Sequence, residues 1–166
     1  MIRIILVRHG RTAWNAAAGQ APRFRGTIDL PLTDEGQAQA RATARRLAGQ
    51  PLAAIYSSPL QRAVVTAQNI AEPHGLEIQT VPGLGSMDYG HWAGQTYAAV
   101  STRWPDLYRQ WRRDPFQVQI PGGECLSDLG NRAVAATHKI LDHHKEGDPV
   151  VLVTHQAVTK ALLCSL

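Results

Sequence analysis

Cysteine is scarce in this chain: Cys125 and Cys164 are the only two, far apart and in no C-x-x-C arrangement. That excludes a disulfide framework and fits a reducing compartment, so the expected location is the cytoplasm. No apolar stretch is long enough to span a bilayer. The N-terminal apolar run has only a strand's length before Arg8-His9 breaks it, so it does not read as a signal peptide, and no membrane partner is expected. Neither sign of charge dominates, with 17 Lys and Arg against 13 Asp and Glu and a net charge of +4. The densest basic cluster, Arg41, Arg45 and Arg46, reads as a solvated helix face. So thin an excess argues against nucleic acid as a partner and suits a small anionic substrate. Internal repeats and low-complexity tracts are also missing.

What is present is ordinary globular material. A length of 166 residues, 44% hydrophobic and 18% charged, points to one domain around one sizeable core. Residues 1–7 read as a buried strand, and 16–32 as a Gly-, Pro- and Ala-rich loop. Thr33 reads as the N-cap of a helix running to about Leu47, with Asp34 and Glu35 in its first turn. Ala53 to Tyr56 is a second strand. Ser58-Pro59 then reads as cap and first residue of a helix to about Glu72, and Glu77 to Val81 as a third strand. Between Pro82 and Gly123 the periodicity is poor, although Trp104, Tyr108 and Trp111 share one face of a helix starting near Pro105. That face is either core or an apolar wall over a substrate. Residues 124–145 form a long amphipathic helix, Val150 to Thr154 a fourth strand, and a further helix starts at Ala157. Alternating strands and helices make this α/β with a mainly parallel sheet.

Chemistry concentrates at strand ends. The run Ile4-Ile5-Leu6-Val7 stops at Arg8-His9-Gly10, and Val150-Val151-Leu152-Val153-Thr154 stops at His155. In open α/β sheets ligands bind outside the carboxyl ends of the strands. His9 can attack phosphorus through one ring nitrogen if the other donates to a backbone carbonyl, and nearby guanidinium groups keep the imidazole neutral. Arg8 offers a planar fork that matches phosphate oxygens. Arg62 sits in the first turn of a helix, where a cation gains nothing from the helix dipole, so a nearby anion explains it better. His155 is placed to donate to the transferring phosphoryl oxygens. Arg23 and Arg25 fit an ordinary solvated loop, or an anionic substrate. His138, His143 and His144 have no accompanying cysteine or carboxylate cluster, and the last two suit a helix C-terminus, so no metal is expected.

Taken in order, the motifs resemble the histidine phosphatase superfamily, which includes the cofactor-dependent phosphoglycerate mutases. They are Leu6-Val7-Arg8-His9-Gly10-Arg11-Thr12 with Trp14-Asn15, then Asp29-Leu30-Pro31-Leu32-Thr33 with Gly36. Ser57-Ser58-Pro59-Leu60-Gln61-Arg62-Ala63 with Thr66-Ala67 follows, then Tyr89-Gly90 with Trp92 and Gly94, Pro121-Gly122-Gly123-Glu124, and Val153-Thr154-His155. The resemblance implies a three-layer α/β/α sandwich, phosphoglycerate mutase-like, with a phosphohistidine formed at His9. It implies that Arg8, Arg62 and His155 hold the phosphoryl group and that Asn15, with Thr27, contacts phosphate or substrate. It implies no metal and no organic cofactor for hydrolysis, a small phosphorylated metabolite as partner, and a homodimer as the candidate assembly.

Two departures stand out. The family's proton-donating carboxylate precedes the Tyr-Gly motif, and that position holds Ser86 in Leu84-Gly85-Ser86-Met87-Asp88-Tyr89-Gly90. Asp88 is the candidate replacement, because in an extended segment it points the same way as Ser86. Glu124 is the second candidate. Loss of general acid catalysis costs about 10²–10⁴-fold in rate. The other departure is length. The chain breaks off inside an apolar helical pattern at 161–166, so 1–166 reads as a single histidine phosphatase domain lacking its C-terminal strand and helix. The expected function is metal-independent phosphomonoester hydrolysis. The alternatives are a phosphoglycerate mutase and, because of Ser86, a catalytically weakened phosphate-binding module.

Overall fold

The computed structural model describes residues 2–15 and 21–165; the part of the expected loop at 16–20 lies outside them. The strands are β1 (Arg3–Arg8), β2 (Ala54–Ser57), β3 (Ile78–Thr80) and β4 (Pro149–Thr154), and every pairing is parallel in the order β1-β4-β2-β3. The helices are α1 (Asp34–Leu47), α2 (Gln61–Ala71), α3 (Tyr97–Arg103), α4 (Pro105–Arg113), α5 (Leu126–Leu141) and α6 (Gln156–Ser165). Side chains alternate across each strand, so the sheet supports two apolar layers. Ile55, Val151 and Val153 meet α1 and α2 on one face, through Ala44, Ala63, Ala67 and Ile70. Tyr56, Val150 and Leu152 meet α5 and α6 on the other, through Leu129, Ala133, Val158 and Leu162. The result is a three-layer α/β/α sandwich.

β4 is buried on both faces, as its unbroken apolar run demands. β1 lies at the sheet edge, so Ile4, Ile5 and Leu6 are only half buried, where the sequence alone suggests full burial. Thr33 caps α1 by accepting a hydrogen bond from the Gly36 N–H at 3.1 Å. Ser58 does not cap α2. That helix starts at Gln61, and the Asp29 carboxylate accepts the Gln61 N–H at 2.9 Å from across the site. The weakly periodic stretch 82–123 contains two short 3₁₀ turns, α3 and α4. α3 is signalled only by Thr96, which caps it by accepting the Ala99 N–H.

Candidate active site

The register of β1 on β4 pairs Arg8 with Thr154, so the next residues, His9 and His155, emerge side by side at the carboxyl edge of the sheet. Their ring centroids are 5.1 Å apart, and both are almost fully buried. The His9 N–H donates to the Thr154 carbonyl at 3.1 Å, which locks the two strand ends together. Gly10 must be glycine, because a Cβ there would lie 2.4 Å from the Gly36 carbonyl oxygen. That close approach seats the start of α1 against the strand end. The Gly10 N–H donates to Thr66 Oγ1 on α2 at 3.1 Å.

His9 Nδ1 lies 2.6 Å from the Gly10 carbonyl oxygen. A carbonyl only accepts, so Nδ1 carries the proton and Nε2 presents its lone pair. Burial pulls the His9 pKa down to about 3, against the Gly10 hydrogen bond, with Arg25, Arg62 and Arg8 adding to the depression. His155 is pulled down to about 2, first by burial and then by Arg62, His9, Arg25 and Arg132. Both imidazoles are therefore neutral at neutral pH, and His9 Nε2 is free to act as a nucleophile. His155 Nε2 lies 2.8 Å from Ser58 Oγ, and this contact is what Ser58 does in place of capping α2.

Arg62 is fully buried. It donates to the Gly26 and Ile28 carbonyls at 2.7 and 2.8 Å and pairs with Asp29 at 3.7 Å. Gly26 adopts φ +53°, and a Cβ there would meet the Met87 carbonyl at 2.5 Å, so the turn that feeds Arg62 its acceptors needs glycine.

Arg25 is the residue that sequence reasoning undervalued, because an ordinary solvated loop is the preferred reading of its surroundings. Its Nη2 lies 3.3 Å from His9 Nε2, and its Nη1 donates to Thr12 Oγ1 at 2.5 Å and to Asn15 Oδ1 at 2.9 Å. Phe24 fixes it there. That ring is fully buried among Tyr89, Trp92, Tyr97 and Trp111, and its backbone pairs with Gly94 and Gln95. A lone aromatic between two arginines in a polar loop was the available signal.

Three buried nitrogens among the described residues lack a hydrogen-bond partner in this one place: Arg25 Nε, Arg62 Nε and His155 Nδ1. Orphaned buried polar groups are costly and rare in native structures. The residues that carry them lie about His9, Arg25 and His155 in direct contact and Arg62 as a charge acting on it, and together they can serve a multiply accepting anion such as a phosphoryl group.

A cavity of about 600 Å³ opens beside these residues, lined by Arg8, Asn15, Arg25 and His155, with Ser86 and Tyr89 on one wall; His9 itself lines an adjoining space that shares Arg8 and Asn15. Trp111 serves both roles considered for its face, since it packs on the core and lines the cavity, whereas Trp104 and Tyr108 only pack on the core. Thr27 is exposed and does not line the cavity. Nor does either carboxylate candidate. Residues 85–89 form no strand, so Ser86 and Asp88 part company: Ser86 faces the cavity, while exposed Asp88 accepts the Gly90 N–H at 2.9 Å. Glu124 is engaged elsewhere, gripped by Arg132 at 2.7 and 2.9 Å and accepting the Asp88 N–H. Arg132 also donates to the carbonyls of Gly83, Gly85 and Ser86, which pins this wall of the cavity. Among the described residues no three His, Cys, Asp or Glu side chains group as a metal would require, and no helix is long and apolar enough to cross a membrane.

Comparison with known proteins identifies the family. The family model for the histidine phosphatase superfamily (branch 1) matches residues 4–166. The chain belongs to that superfamily. Phosphoserine phosphatase 1 of Hydrogenobacter thermophilus is 34% identical over the whole of this chain and 76% of its own length. Phosphoglycerate mutase-like protein 4 of Arabidopsis thaliana is 39% identical over 96% of this chain and 68% of its own. The solved structure of Bacillus stearothermophilus YhfR superposes with a TM-score of 0.89 at 32% identity, covering 99% of this chain and 79% of that one. Its relatives thus carry both phosphatase and mutase names.

Proposed function

We propose that this chain is a phosphomonoester hydrolase that works through a phosphohistidine at His9 and needs no metal. The observation that carries this reading is that Arg25, Arg62 and His155, the residues whose charge or ring lies against His9, each keep one buried nitrogen without a partner. His9 Nε2 attacks phosphorus, forming the N–P bond as the P–O bond to the leaving group breaks with its electron pair staying on oxygen. Arg8, Arg25 and Arg62 neutralise the equatorial oxygens, and His155 hydrogen-bonds them. Because phosphoryl transfer is catalysed mainly by positioning and charge, these groups matter more than any single acid. Water then attacks phosphorus, the N–P electron pair returns to Nε2, and phosphate leaves.

The test is turnover of 4-nitrophenyl phosphate in the presence of a chelator, with rapid-quench labelling of the protein. An acid-labile, base-stable label that His9→Ala abolishes, together with all turnover, is the expected result. Unchanged activity in His9→Ala refutes the assignment. Isomerisation of 3-phosphoglycerate with a bisphosphate primer, without net phosphate release, would instead make the chain a mutase, as one relative's name suggests. Labelling without turnover would make it a weakened module.

A further inference from the structure

The cavity beside His9 shares Arg8, Trp14, Asn15, Arg23, Tyr97 and Gln156 with the adjoining space that His9 itself lines, and its lining is unusual for an enzyme that must expel an alkoxide. No Asp or Glu among the described residues lines either space, and the two candidate carboxylates, Asp88 and Glu124, are committed to Gly90 and to Arg132. His155 is held neutral by burial and by surrounding guanidiniums. Tyr89 lines the wall, but burial lifts its pKa to about 12, far from the near-neutral value that makes an effective general acid. Cations line the cavity instead: Arg8, Arg23, Arg25 and Lys160. Rings complete it, with Trp14, Tyr97, Trp111 and the exposed Phe116 facing the same space.

Resting on the phosphohistidine reading, we infer that the cavity selects aryl phosphates, phosphomonoesters of phenol-type hydroxyls whose oxygen departs as an anion without being protonated. The His9 Nε2–P bond forms, the aryl O–P bond breaks, and the electron pair leaves on the phenolate, which the cationic lining receives and solvent later protonates. An alkoxide is too basic to leave this way. The rings supply flat apolar area on which an aromatic leaving group packs. A substrate ammonium, such as that of free phosphoserine, meets four positive side chains and no carboxylate.

The experiment compares kcat/KM for phenyl phosphate, benzyl phosphate and O-phosphoserine, since kcat/KM covers the steps through transfer to His9. Phenyl and benzyl phosphate carry the same ring and differ in leaving group, which separates leaving-group chemistry from ring binding. Phenyl phosphate is expected to exceed benzyl phosphate by about 10²–10⁴-fold, the usual contribution of a general acid, with O-phosphoserine no better than benzyl phosphate. Ser86→Glu, which puts a carboxyl group on the cavity wall, should raise benzyl phosphate hydrolysis by about 10²-fold, the low end of that range. Wild-type rates on phenyl and benzyl phosphate within about tenfold of one another, or O-phosphoserine as the best substrate, would overturn the inference. So would selective loss of benzyl phosphate hydrolysis in Tyr89→Phe, which would make Tyr89 the acid. His9→Ala runs alongside. Residual turnover there overturns the phosphohistidine reading itself, whichever way the substrate series falls.

Discussion

Lowering the pH from 7.5 to 5 should destabilise the fold through two residues, His9 and His155. Their pKa values are depressed from 6.5 to about 3 and about 2, so both stay neutral in the native state across this window. In the unfolded chain each takes up a proton as pH falls through 6.5. The unfolded state then binds more protons, so stability is fully present above about 6.5 and is lost as pH drops towards the folded values. At pH 5 the gap to the unfolded pKa is about 1.5 units, and at about 1.36 kcal/mol per unit each histidine contributes about 2 kcal/mol of lost stability. The mutual repulsion of the two imidazoles does not enter, because neither is charged in the fold at pH 5. The pair together costs about 4 kcal/mol, a large share of a typical domain's 5–15 kcal/mol. Urea unfolding in phosphate-free buffer reads this directly. With a slope of about 2 kcal/mol per M, the midpoint should fall by about 2 M between pH 7.5 and 5. The double variant His9→Gln/His155→Gln should lose most of that dependence. A wild-type midpoint that moves by less than about 0.5 M, or a double variant with the wild-type slope, would refute the reasoning.

Arg62→Met removes a fully buried cation and orphans the Gly26 and Ile28 carbonyls; it should cost about 2–4 kcal/mol in urea unfolding and about 10²–10³-fold in kcat/KM with 4-nitrophenyl phosphate. Arg132→Met leaves the largely buried Glu124 carboxylate without its bidentate partner. Because both side chains keep some solvent contact, about 2–3 kcal/mol of destabilisation is expected rather than the full buried-pair penalty of about 3–5 kcal/mol, read by the same urea assay. Thr27→Ala, at an exposed position off the cavity, should leave kcat/KM within about twofold, as surface substitutions usually do. In the acid limb of the pH–rate profile, the neutral native His9 and His155 contribute no break near 6.5, so the limb should follow the second ionisation of the substrate phosphate, near about pH 6, and shift when an ester of different acidity is used.

The strands and the histidine pair were readable because each rests on a local rule. An apolar β-branched run ending in Arg8-His9 and another ending in His155 fix two strands, and parallel order places their ends on one edge. The sheet order was not readable, since nothing local shows that β4 inserts between β1 and β2. Full burial of β1 was therefore over-read. Ser58 shows why cap motifs mislead beside a site: its hydroxyl sits 2.8 Å from His155 Nε2, and Asp29 takes over the helix terminus from 32 residues away in the chain. Asp88 shows the limit of period-two reasoning, which holds only within a paired strand, and 85–89 forms none.

Arg25 exposes a deeper reason why the site could not be completed from sequence. Its value comes from a contact made at the far end of a long side chain, set by a neighbour, Phe24, whose own partners lie in α3, α4 and the 3₁₀ turn at Gly90–Trp92. That part of the chain has the weakest periodicity, because its apolar residues serve an aromatic cluster rather than one face of a long helix. The cluster holds a guanidinium against a neutral imidazole, with Arg8 and burial pulling the Arg25 pKa below its usual value. Like charges gathered this closely oppose folding unless something else holds them, and an anion bound among them relieves that repulsion. On the proposed function, the aromatic cluster serves the chemistry indirectly: its packing energy maintains a charge arrangement whose repulsion a bound phosphoryl group would relieve.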